Sequence, residues 1–272
     1  MIACCTEMLI INLDSELLQK DLANLENWEK TWQMKFNPEK CYIIHVTKKK
    51  IPLKLNYKLH NHTLQPFHNS KYLDVTIRND LDWHPHINNI TSKTNKTLGF
   101  LCRNMKNCTR KVKNLTYTSL VHPVVEYSSP VWNPSKKQQI SQVEQIQRKA
   151  ARYIFIDYCD RSPSAVINII DTLQWDSLPC RRTKANLILL YKINGGLVEV
   201  PTTMLSQSDR RTRGAHKFRQ IQSNKDFYKF SFFPNTISVW NSLPQSIALS
   251  PNLESFKSGI STLTFEGFLT HL

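Results

Sequence analysis

The sequence predicts an α+β fold that is mostly α: a helix on a small antiparallel sheet, then a helical domain, then a small C-terminal region. Three observations predict it. The apolar period is helical before residue 33, short and strand-like between residues 41 and 77, and helical again from Trp83 onward. Prolines at 123, 130, 134, 163 and 179 cut the later part into short and medium segments. After Pro201 the composition turns polar and basic, then aromatic. The expected boundaries are 1–82, 83–200 and 201–272.

In the first region, DSELLQKDLANLENWEKTW sets Leu17, Leu18, Leu22, Leu25, Trp28 and Trp32 near helical spacing. Asp14 or Ser15 is the expected N-cap, and Asn37-Pro38 the expected stop. CYIIHV (41–46) follows as a strand apolar on both faces, the pattern of a covered strand. Two more strands are expected at LKLNYKL (53–59) and KYLDVTI (71–77), with the loop NHTLQPFHNS between them.

From Trp83 the stripes are helical. Ile87, Ile90, Thr94, Leu98, Leu101 and Met105 form the first, and Ile140, Val143, Ile146, Ala150 and Ile154 the second. Leu187, Leu190 and Tyr191 mark a third helix ending at Gly195-Gly196. A last amphipathic helix is expected over about residues 251–263. Trp28, Trp32, Trp83, Trp132 and Trp175 are read as packing residues, and the run Phe230, Phe232, Phe233 and Trp240 as core or docking contacts before base stacking.

Composition bounds the function. At 272 residues the chain can bury one or two cores. No apolar stretch approaches the ~20 residues a membrane span needs, and MIACCTEMLIINLDSE lacks the basic start of a secretory signal. Seven cysteines without regular spacing read as reduced thiols of an intracellular protein; Cys102 and Cys108 lack the spacing of a zinc site, and adjacent Cys4 and Cys5 read as incidental. The formal charge is +15, and residues 101–220 supply most of it, with 20 Lys and Arg against 8 Asp and Glu. Such a block attracts polyanions through counterion release.

The basic side chains form three clusters. RNMKNCTRKVK contributes Arg103, Lys106, Arg110, Lys111 and Lys113; QRKAARY contributes Arg148, Lys149 and Arg152; PCRRTK contributes Arg181, Arg182 and Lys184. Placed on helix surfaces, they would follow a phosphate backbone without reading bases. Ordinary solvated helix surface is the competing reading of each. DRRTRGAHKFRQ (209–220) is expected to be a basic arm. Asp80, Asp82, His84 and His86 in RNDLDWHPHI are read as a turn and helix cap before Pro85, not as a metal site. There is no glycine-rich phosphate loop.

Six ordered blocks carry a resemblance: W-E-K-x-W-x-M-x-F-N-P-x-K-C; K-Y-L-x-V-x-I-x-x-D-L-x-W-x-x-H-I; L-V-x-P-V-V-E-Y-x-x-x-V-W-x-P; V-E-Q-I-Q-R-K-A-A-R-Y; L-Q-W-x-S-L; and S-F-F-P-x-T-I-x-x-W-N-S-L-P. In this order they resemble the C-terminal portion of the reverse transcriptase of jockey-like non-LTR retrotransposons, over roughly residues 15–260. The resemblance implies that the first helix and strand are the end of a polymerase palm and that Lys71, Tyr72, Leu73 and Asp74 lie in a primer-grip-like hairpin. It implies that the helices after Trp83 are thumb-like, and that the partner is RNA or an RNA–DNA hybrid.

The family's chemistry uses two magnesium ions held by closely placed aspartates. Its Tyr-x-Asp-Asp turn would precede residue 1, and no Asp-Asp pair occurs among the 272 residues. The expectation is therefore a nucleic-acid-binding fragment that is not an enzyme as it stands, with no metal or other cofactor of its own. The alternatives are an inert or docking helical protein, or a fragment completed in trans by a palm-containing chain. Two positions depart from the family pattern: Asp74 stands where glycine is usual, and Asn235 where arginine is common.

Overall fold

The computed structural model describes residues 12–49, 55–156, 162–200, 205–206 and 216–265. Cys4, Cys5, the Asp14 side chain, residues 53–54 of the expected second strand and residues 209–215 of the basic arm lie outside them. The chain divides into two compact units, Met1–Pro85 and His86–Leu272.

In the first unit, helix α1 (Asn12–Trp32) ends earlier than Asn37-Pro38 suggests, with Gln33 left-handed at φ 53°. Asn37 instead caps a single 3-10 turn, Pro38–Lys40, accepting a bond from the Glu39 amide. Strands are short: β1 (Tyr42–Ile43), β2 (Lys58–Leu59), β3 (His62–Thr63), β4 (Gln65–Pro66), β5 (Asn69–Tyr72) and β6 (Val75–Arg78). They form three two-stranded sheets, β1–β4 parallel, β2–β3 antiparallel and β5–β6 antiparallel.

Four expectations change here. The single antiparallel sheet is replaced by three small ones. CYIIHV pairs over only two residues, and Tyr42 and Val46 are exposed, so apolar composition does not mean a strand covered on both faces. KYLDVTI is a hairpin, because Leu73 and Asp74 turn left-handed at φ 44° and 65°. The expected loop 61–70 itself holds β3, β4 and the start of β5. Two-residue turns with both φ values positive match the twist of paired strands, and His60-Asn61 makes the same turn between β2 and β3. A small core of Tyr57, Leu59 and Leu64 gathers Leu18, Leu22, Phe36 and Cys41.

The second unit continues α2 (His84–Asn104), whose predicted stripe is buried at Ile87, Ile90, Thr94, Leu98 and Leu101. Then come α3 (Arg110–Leu120), α4 (His122–Glu126), α5 (Ser129–Trp132), α6 (Lys137–Phe155), α7 (Pro163–Thr172) and α8 (Leu178–Asn194). Pro123, Pro130, Pro163 and Pro179 sit at first-turn positions, where no helical N–H is lost. Ser162 and Ser177 cap α7 and α8. The α8 helix stops as predicted at Gly195-Gly196, where Gly196 adopts φ 68°.

Short helices α9 (Asp226–Lys229), α10 (Phe232–Trp240) and α11 (Gln245–Ala248) lead to α12 (Leu253–Ser261). This C-terminal region shares one core with α8: Leu187 and Leu190 meet Ile237, Trp240, Phe256 and Ile260. The segment at 216–220 is bound to α10, since the Trp240 indole donates to the His216 carbonyl and the Asn241 amide exchanges two bonds with the Phe218 backbone. Gly259 admits Ile247 so closely that a Cβ there would lie 3.1 Å from its side chain. Trp132 and Trp240 are buried, whereas Trp32, expected to pack, is 63% exposed.

Candidate nucleic-acid interface

Between Asp82 and Glu126 the chain has no acidic residue and seven Lys or Arg. Folding sorts them by face. Helix α2 ends at Asn104; Thr109 then caps α3, its hydroxyl accepting from the Val112 amide. The α3 helix packs on α6, and two cations lie on the aromatic end of that helix. The Arg110 guanidinium sits 4.4 Å from the centre of the Phe155 ring, and Lys113 Nζ sits 5.5 Å from that of Tyr153. The turn from α2 to α3 is thereby fixed against the C-terminal end of α6.

Of the eleven cations singled out in the sequence, Arg103, Lys106, Arg110, Lys111, Arg148 and Lys149 are exposed. Arg103, Lys106, Arg110 and Lys111 lie within nine positions across the α2–α3 turn. Lys149 donates to Asn95 of α2 at 3.1 Å, linking α6 to α2. Arg152 is half-buried.

The others serve the interior. Lys113 is 1% exposed and Arg182 2%, so neither lies on a phosphate-tracking surface. Helical spacing turns Lys113 toward Tyr153 and Arg182 toward Asn133, whose side-chain oxygen accepts from its Nε at 3.1 Å. Burial lowers the Arg182 guanidinium to about 10, with Glu144 and Glu126 opposing that shift, and it remains charged at neutral pH. The same burial raises the Glu144 carboxyl, against the pull of Arg182 and Arg148.

Arg181 and Lys184 are half-buried and paired. Arg181 grips Glu126 with two donors, Nε and Nη2, the latter at 3.0 Å. His122 Nε2 lies 3.1 Å from the same carboxylate. Burial alone would raise Glu126, but the bonds and charges of His122 and Arg181 outweigh it and hold the carboxyl at about 2. Lys184 donates to Asp176 at 2.8 Å and to the Ser261 carbonyl. The PCRRTK cluster is thus a set of internal ties.

In the other unit, Lys71, Tyr72, Leu73 and Asp74 form the tip of the β5–β6 hairpin. Leu73 is 53% exposed, and Lys71 Nζ lies 2.6 Å from Asp74 Oδ1, which cancels the charge at the tip. Asp80 accepts from the Asp82 amide in a turn just before α2. Among the described residues no group of three or more His, Cys, Asp or Glu is placed to hold a metal ion.

Sequence reading missed Lys93 and Lys96. Both are exposed on α2, opposite its buried stripe. The signal was available in their spacing to Arg103, at i, i+3 and i+10, once the apolar face had been fixed.

Comparison with known proteins agrees with the resemblance drawn from the six blocks. Over 155 residues the chain is 26% identical to the protein described as "Probable RNA-directed DNA polymerase from transposon BS" of Drosophila melanogaster. The match covers 56% of this chain and 16% of that protein's length. No family model matches the chain. No solved structure matches it either.

Proposed function

We propose that this chain, similar to part of a transposon RNA-directed DNA polymerase, is a gripping portion of a retroelement reverse transcriptase. Its thumb-like helical unit holds the phosphates of RNA or of an RNA–DNA hybrid. The observation that carries the reading is the sorting of cations. Lys113 and Arg182 are buried and Arg181 and Lys184 are paired with Glu126 and Asp176, while Arg103, Lys106, Arg110 and Lys111 remain exposed on a turn held against α6 by Arg110 and Lys113. A rigid, acid-free cationic edge binds polyanions by displacing counterions and carries no base preference of its own. DNA synthesis is not assigned to this chain, whose 272 residues contain no Asp-Asp pair.

Binding of a labelled RNA–DNA hybrid tests the reading. With six phosphate contacts, affinity falls roughly a thousand-fold between 50 and 200 mM salt. Lys106→Ala and Lys111→Ala each reduce the logarithmic salt slope by about one. Absence of binding at low salt overturns the reading, and primer extension by the purified chain unaided overturns its non-catalytic part.

A specific observation favours docking as a second role. In the first unit Trp32, Met34, Val46 and Phe67 are each more than half exposed, the kind of apolar surface that recruits a partner. A palm-containing chain is the occupant this reading names. A clean monomer by light scattering at moderate concentration, unchanged by Trp32→Ser, removes it.

A further inference from the structure

Helix α2 carries an aromatic residue where its buried stripe gives it no reason to be. Phe100 is 56% exposed. At about 100° per residue, Asn89, Lys93, Lys96, Phe100 and Arg103 fall within an arc of roughly 80°, nearly opposite the buried face of Ile87, Ile90, Thr94, Leu98 and Leu101. All five are exposed. Lys93 and Arg103 stand about 15 Å apart along the axis, with Phe100 between them. The Arg103 guanidinium folds back along the helix, with Nη1 3.5 Å from where a Cβ on Gly99, the residue beside Phe100, would sit. A flat apolar ring is thus bracketed by three cations in a stretch without a single acid.

Cations alone hold any phosphate backbone and do not distinguish duplex from single strand. An exposed ring among them does, because its face is satisfied by another π-face, and only unpaired bases offer theirs. Charge selects a polyanion and the ring selects one with open bases. We propose that the exposed face of α2 is a binding track for single-stranded nucleic acid, with Phe100 stacking one base while Lys93, Lys96 and Arg103 hold the flanking phosphates. This rests on the nucleic-acid reading above and adds to it a preference for unpaired strand, which the α2–α3 turn alone does not give.

The test is fluorescence anisotropy on the full chain at low salt, with a labelled mixed-sequence RNA single strand and an RNA–DNA hybrid of the same length. Phe100→Ala weakens single-strand binding by about five- to a hundred-fold, the range one base–aromatic contact supplies, and leaves hybrid binding within about two-fold. Phe100→Trp restores the single-strand affinity, while Lys96→Ala weakens both and flattens both salt slopes. Circular dichroism of each variant matches the parent, since Phe100 lies outside the core. Equal loss on both nucleic acids with Phe100→Ala, or no loss on either, overturns the inference while the nucleic-acid reading stands. Failure of the parent chain to bind either one overturns both.

Discussion

The two units use similar side chains in opposite ways. In Met1–Pro85, Trp32 and Phe67 lie more than half exposed, and among the described residues few apolar side chains are fully buried. In His86–Leu272, Trp132 and Trp240 are almost wholly enclosed. The difference follows from the elements each unit has. The 21-residue α1 has only two-stranded ribbons to pack on, which are marginal in water and present little continuous face, whereas α2, α6 and α8 carry stripes that meet other helices. Stability therefore resides in the helical unit, while the first unit offers surface.

The sharpest way to break this comparison is to truncate one tryptophan in each unit. Trp240→Ala removes a ring stacked on Phe256 and hydrogen-bonded to the His216 carbonyl; it costs about 3–5 kcal/mol. Trp32→Ala changes stability by less than about 0.5 kcal/mol. Urea denaturation of both variants measures the contrast, and comparable losses would refute it.

Glu126→Gln is the next largest, at roughly 2–3 kcal/mol at neutral pH, because it leaves Arg181 without its counter-charge. The sign follows from linkage. The Glu126 carboxyl lies at about 2 in the folded protein against an ordinary value of 4.5. Its contribution is complete above about pH 5 and disappears as pH falls toward 2. Stability curves of parent and variant measured across that window should converge at the acid end.

Smaller gains come from the backbone. Ile156, a β-branched residue that is 59% exposed, ends α6 in the left-handed region at φ 57°, and Ile156→Gly should stabilise the helical unit by about 1 kcal/mol. Asp74→Gly relieves the left-handed turn at φ 65° and loses an ion pair whose partners are both mostly exposed. A gain of about 0.5 kcal/mol is expected in the first unit, read from hydrogen exchange at β5 and β6.

How much the sequence disclosed depended on whether the information was local. Helices were legible where their stripes run for several turns, as in α2, α6 and α12; the caps were less so, since Asp14 and Ser15, expected to cap α1, lie inside it, and Thr109, Ser162, Ser177 and Asn252 went unread. The strands were not, since a two-residue pairing such as Tyr42 with Gln65 leaves no period to detect. Nor was the burial of Lys113 and Arg182, whose surroundings come from Tyr153 and Asn133, dozens of residues away. The six resemblance blocks contain Trp132, Ala150, Glu126 and Trp240, which build the interior. They speak to fold more than to contact with a ligand.

The ties that hold Arg181 and Arg182 bear on how the chain tolerates substitution. Glu126 and Arg181 are separated by 55 positions, and Asn133 and Arg182 by 49. A single substitution at Glu126 or Asn133 leaves its arginine partner without that contact in a partly or fully buried setting. Positions about fifty residues apart are therefore coupled, and substitutions at them are not expected to add independently.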